Sequence, residues 1–87
     1  MDRKYLIEKL RKLIVKKLEL DINPGNIEPD ESLIELGLGV DSVSTLEFIL
    51  ALENEFDVEI DESDINLGIL STVNNIANYI NDLKKSF

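Results

Sequence analysis

The chain has 87 residues, 44% hydrophobic and 31% charged, with a formal net charge of −9. That is one expected domain, 1–87, burying roughly 60–65% of its unfolded surface and repelled by nucleic acid and anionic membranes. It contains no cysteine and no histidine, which excludes disulfides, thiolate ligands, a Cys nucleophile and the usual neutral-pH base.

Met1-Asp2-Arg3-Lys4 opens a charged helix rather than a signal peptide, and no apolar run is long enough to span a bilayer, so a cytoplasmic protein is expected. Leu6, Ile7, Leu10, Leu13, Ile14 and Leu18 repeat at three- and four-residue spacings, predicting a helix from residue 2 to about 18. Asp2 at its start and Lys16-Lys17 at its end suit the helix dipole.

Asn23-Pro24-Gly25-Asn26 and Pro29 then break the pattern and begin a loop that lasts to about Val40. A loop this long has a task or hides structure. Ser32-Leu33-Ile34-Glu35 fits a capping box, so one helical turn is expected there, stopping at Gly37. Ile27, Leu33, Ile34, Leu36 and Leu38 are candidates to pin the loop to the core.

The second helix is predicted from about Ser42 to Phe56, with Val43, Leu46, Ile49, Leu50 and Phe56 as its apolar stripe and Glu47, Glu53, Asn54 and Asp57 on other faces. A short third helix is expected at Glu62–Leu67, ended by Gly68. The last begins near Ser71 or Thr72, either able to cap it, and carries Val73, Ile76, Ala77, Ile80 and Leu83 before Lys84-Lys85. The expected fold class is all-α: a small four-helix bundle with three main helices and one short one.

Charge is segregated along the chain. All nine basic residues lie at or before Lys17 or at Lys84 and Lys85, and sixteen acids lie between Leu18 and Leu83 with no Lys or Arg. A solvated face normally mixes signs. An uninterrupted acidic surface instead steers a protein towards basic partners.

The chemistry-bearing candidates are few. Ser42 has no histidine to activate it, and Gly39-Val40-Asp41-Ser42 is not the strand-to-helix elbow of hydrolases, so free-standing catalysis is not expected. Asp57, Glu59 and Asp61 match the start of an EF-hand loop. However, Glu62 stands where that loop needs glycine and Gly68 where it needs the closing glutamate, so no metal site is assigned. Taken alone, Asp41-Ser42 reads as a helix cap. With Asp41 as the cap, the Ser42 hydroxyl is left free at the helix mouth, where the positive end of the dipole favours a phosphate.

Leu38-Gly39-Val40-Asp41-Ser42-Val43, followed by Ala51-Leu52-Glu53-Asn54-Glu55-Phe56-Asp57-Val58-Glu59-Ile60 and by Thr72-Val73 through Ala77-Asn78-Tyr79-Ile80, resembles the acyl carrier protein family. The resemblance covers nearly the whole chain. It implies that a carrier-protein synthase (phosphopantetheinyl transferase) attaches 4′-phosphopantetheine from coenzyme A to Ser42, and that the arm's thiol carries acyl groups as thioesters. It implies a space for a fatty chain between the helices, with Val43, Leu46, Ile49, Leu50, Ile60, Ile65, Ile76 and Ala77 as candidate lining, although an ordinary core accounts for them equally well. It also implies docking onto basic patches of acyl-transferring, condensing and modifying enzymes through Asp41, Val43, Glu47, Glu53 and Asp57.

Departures from the family pattern are Val43 for the usual leucine, Ser44 for a frequent acid, one extra residue in Leu36-Gly37-Leu38-Gly39 and a longer Asp61–Leu70 segment. They suit a specialised acyl carrier, in fatty-acid, polyketide or other lipid biosynthesis, expected to be a monomer. An aminoacyl or peptidyl carrier and an unmodified acidic interaction module remain as alternatives.

Overall fold

A computed structural model describes residues 2–39, 41–66 and 68–85. Among them are three α-helices, α1 (Arg3–Lys17), α2 (Ser42–Phe56) and α3 (Val73–Lys85), two short 3-10 turns (Pro24–Asn26 and Glu62–Asp64), and no strand. Helix α1 packs directly on α2 and on α3. The segment from Val58 to Leu70 bridges the space between α2 and α3.

Helix α1 forms on the expected stripe. Leu6, Leu10 and Ile14 are fully buried, with Ile7, Leu13 and Leu18 at the edge of the core. Asp2 occupies the cap position but its side chain makes no cap hydrogen bond. Several basic residues brace the bundle. The Arg3 guanidinium donates to Asn78 Oδ1 (2.8 Å) and Asn74 Oδ1 (2.9 Å) on α3, and Lys9 pairs with Glu55 on α2 (2.8 Å). Arg11 Nε donates to the Ile27 carbonyl (2.8 Å).

The loop between α1 and α2 does hide structure. Asn23 caps a 3-10 turn by accepting from Gly25 N–H, and Ile27, Leu33 and Leu38 are buried pins. Ile34 is exposed and Leu36 only half-buried. At Ser32–Glu35 the cap hydrogen bond is long, 3.4 Å, and the chain makes turns rather than a helix. Those turns end as expected at Gly37, at φ 110°, where Leu38 N–H reaches back to the Leu33 carbonyl and Gly37 N–H to that of Ile34. This is the C-terminal motif that glycine's left-handed freedom permits.

Helix α2 has the expected bounds, but only Ile49 and Phe56 of its expected stripe are buried. Phe48, Ile49, Leu52 and Phe56 point into the core, while Val43, Leu46 and Leu50 are 60%, 52% and 58% exposed. The helix carries two apolar stripes, about 140° apart at 3.6 residues per turn, and both satisfy helical periodicity.

The short third helix is also corrected. Glu62–Asp64 is a single 3-10 turn, and Leu67 lies outside the described residues. Local side chains take the backbone groups a helix would need. Asp61 Oδ1 accepts from Ser63 N–H and Ser63 Oγ, which holds its carboxyl below the usual range, and Asn66 bonds the Asp64 carbonyl and Ile69 N–H. Thr72 Oγ1 then caps α3 through Asn75 N–H (3.0 Å), and Val73, Ile76, Ala77 and Ile80 are fully buried.

Candidate functional site

The approach to α2 is set by backbone geometry. Gly39 sits at φ 87°, a conformation that side chains resist, and the chain then enters α2 through Asp41 in an extended conformation. The Asp41 carboxylate accepts from Val43 N–H (3.2 Å) and from Ser44 Oγ (3.2 Å), so the cap is supplied by the residue before the serine. Ser42 is exposed on the first turn, and its hydroxyl takes part in no hydrogen bond with the described residues. The helix therefore offers an unengaged nucleophilic oxygen beside its free N–H groups, a position that favours an attached phosphate.

An open groove of about 660 Å³ runs from Ser42 past Thr45 and Leu46 to Ile65, Asn66 and Leu70. Behind it lies an apolar cavity of only about 10 Å³ between α2, α3 and the bridging segment. Ile65 and Leu70 line both spaces, forming the partition between them. Of the candidate lining residues, Ile49, Ile60, Ile65 and Ile76 face the cavity and Leu46 faces the outer groove. Val43 and Leu50 lie on the exposed face, and Ala77 is in the core without lining either space.

Sequence reasoning missed Leu52, Ile69, Leu70 and two polar residues of the cavity wall, Asp64 and Tyr79. The Tyr79 hydroxyl donates to Asp64 Oδ2 (3.0 Å). A tyrosine one turn beyond buried Ile76, with acids in the preceding segment, was the available signal, since a part-buried phenol seeks an acceptor. Burial, and then the Asp64 carboxylate, push the phenol up to about 12 from an ordinary 10.0. Because the folded value lies above the unfolded one, this contribution to stability is complete below pH 10 and lost as pH rises towards 12. Urea midpoints across that window should therefore fall more steeply for the native chain than for Tyr79→Phe. Parallel profiles would show that Tyr79 contributes nothing there.

The residues named for docking lie along α2 in different situations. Val43 and Glu47 are exposed and uncommitted, and Leu46 and Leu50, expected from the sequence on the buried stripe, extend Val43 into an exposed apolar ridge. Asp41 is the cap, and Asp57 is exposed at φ 53° as the residue ending the helix. Glu53 is half-buried, and its Oε2 accepts from Ile60 N–H (2.8 Å), anchoring the start of the bridging segment.

The site is thus a small helical body with an unengaged serine hydroxyl at a helix mouth and an open groove beside it. Residues 8–80 match the family described as "Phosphopantetheine attachment site", and the chain belongs to that family. The fold is similar to the solution structure of a holo acyl carrier protein from Nitrosomonas europaea, with a TM-score of 0.76 and 23% identity over 93% of this chain and 96% of that one. The protein is thus a carrier rather than an enzyme, with a phosphopantetheine prosthetic group. Carrier proteins in general interact with phosphopantetheinyl transferase and acyl-handling enzymes. Among the described residues no helix is long and apolar enough to cross a membrane.

Proposed function

We propose that the chain is a single-domain, monomeric, cytoplasmic acyl carrier protein in which Ser42 bears 4′-phosphopantetheine derived from coenzyme A. The observation carrying this reading is the Ser42 hydroxyl, left unengaged because Asp41 supplies the cap, at the head of a groove that leads to an apolar cavity. When bound, the group supplies a terminal thiol that holds acyl chains as thioesters. The protein's own residues orient and shelter. The first turn of α2 places N–H groups beside the phosphate position, and Thr45, Leu46, Ile65 and Leu70 offer the arm a mixed surface.

Acids outnumber cations on the surface around Ser42, although Lys17 lines a pocket with Asp41, Ser44 and Glu47, so this surface attracts basic patches on partner enzymes and speeds encounter. Val43 and Glu47 are the centre of that docking face, with Asp41 and Asp57 at its ends and Glu53 contributing through whichever oxygen Ile60 leaves free. The apolar lining of the cavity favours acyl cargo over the aminoacyl and peptidyl alternatives. Mass spectrometry of protein isolated from its own cells should find a thioester-linked acyl group. An aminoacyl thioester would reassign the cargo, and a chain always bare at Ser42 would leave only the interaction-module reading.

A further inference from the structure

The cavity behind the Ser42 groove is about 10 Å³, room for about one water-sized group and so for about one methylene rather than a chain of them. An acyl chain can enter only if a wall moves. Two walls, α2 and α3, are continuous helices whose hydrogen bonds close internally. The third wall is the segment from Val58 to Leu70, whose described residues hold nothing more regular than one 3-10 turn. That wall yields first.

Its attachments are unequal. At one end Ile60 N–H is tied to Glu53 on α2 (2.8 Å). At the other, Asn75 on α3 donates to the Gly68 carbonyl (3.1 Å) and to Ser71 Oγ (2.7 Å), and the Ser71 carbonyl accepts from Leu33 N–H (2.8 Å). Between these anchors, the Tyr79–Asp64 bond reaches from α3 to the 3-10 turn, and both of its partners line the cavity. Outward movement of the middle of the segment breaks this bond while both ends stay tied. Along α2 the groove is lined near Ser42, Thr45 and Leu46 and the cavity near Ile49 and Leu52, so a chain from Ser42 travels about 15 Å along the axis to reach the depth of Leu52.

We propose that Tyr79 and Asp64 are specificity-determining residues of the cargo site: their hydrogen bond is a threshold that only acyl chains burying enough methylene groups overcome. The proposal rests on the carrier reading of Ser42. A hydrogen bond to a partly exposed carboxylate is offset by burial of about two methylene groups. Shorter or polar cargo therefore stays in the outer groove with its thioester exposed, and longer saturated chains displace the turn and are sheltered.

The test loads Ser42 of the native chain, of Tyr79→Phe and of Asp64→Asn with saturated acyl-pantetheine from acetyl to dodecanoyl, using a broadly tolerant transferase. Thioester cleavage by hydroxylamine and the thermal midpoint are read at each length. The native chain should show a step to protection at an intermediate length. In Tyr79→Phe that step should move about two carbons shorter, with about tenfold slower cleavage at lengths near the native step. The midpoint of Tyr79→Phe should be lowered when bare but equal to native with the longest cargo, and Asp64→Asn should shift the step in the same direction. An unchanged step, with equal loss of stability in bare and loaded forms, would make the bond merely structural and overturn the proposal. Failure of the native chain to accept any group at Ser42 would instead overturn the carrier reading, and this proposal with it.

Discussion

Replacing Phe48 by alanine is expected to cost about 3–5 kcal/mol, enough to leave a domain of this size largely unfolded near body temperature. Phe48 is the largest side chain that is fully buried, and it projects from the middle of α2 into the core. Leu50→Ala, two residues on, removes a side chain that is 58% exposed and should change stability by no more than about 0.5 kcal/mol. Urea denaturation of both variants measures which stripe of α2 is buried. Comparable losses, or a larger one for Leu50→Ala, would mean that α2 is rotated relative to the arrangement described.

The second large effect belongs to the face that α2 leaves exposed. Val43 and Leu50, with Glu47 beside them, form an apolar ridge with an acidic edge on the helix that begins at Ser42. Val43→Asp, which removes an apolar contact of about 1.5–2 kcal/mol, is expected to weaken capture by a partner enzyme at least tenfold. Glu47→Lys should slow association and flatten its dependence on salt, because screened long-range attraction contributes mainly to encounter. Far-ultraviolet circular dichroism should be unchanged in both, since neither residue contacts the core. Surface plasmon resonance against phosphopantetheinyl transferase reads both effects. Native affinity and salt dependence in both variants would show the strip to be ordinary solvated surface.

How much of this was legible in the sequence depends on where the deciding forces act. The bounds of α2 follow from local chemistry, Asp41 as cap and an acidic turn at Asp57, and were read correctly. Gly37 was equally readable, because only its left-handed backbone lets Leu38 turn back into the core. The buried stripe of α2 was legible only in part: Ile49 and Phe56 were placed on it, Phe48 and Leu52 were not. Val43, Leu46 and Leu50 satisfy helical spacing as well as Phe48, Leu52 and Phe56 do, and only the positions of α1 and α3 choose between them. Periodicity fixes a helix, not which of two apolar faces finds a neighbour.

The bridging segment shows a second limit. Its apolar residues suggested a helix, but Asp61, Ser63 and Asn66 spend their side chains on nearby backbone groups and hold the chain to one 3-10 turn. At the site, the Asp41 cap and the unengaged Ser42 hydroxyl were legible from adjacent residues. The roles of Glu53 and Tyr79 were not, because each depends on a partner brought in by the tertiary fold, Ile60 N–H and the Asp64 carboxylate. Glu53 looked like surface charge and is a structural tie as well.

The central claim is that Ser42 is the attachment point, and intact-protein mass spectrometry after incubation with coenzyme A and a broadly tolerant phosphopantetheinyl transferase tests it most directly. The native chain should gain the mass of one phosphopantetheine, and Ser42→Ala none. A native chain that stays unmodified while a control carrier in the same tube is converted, or a Ser42→Ala chain that gains the same mass, would contradict the account.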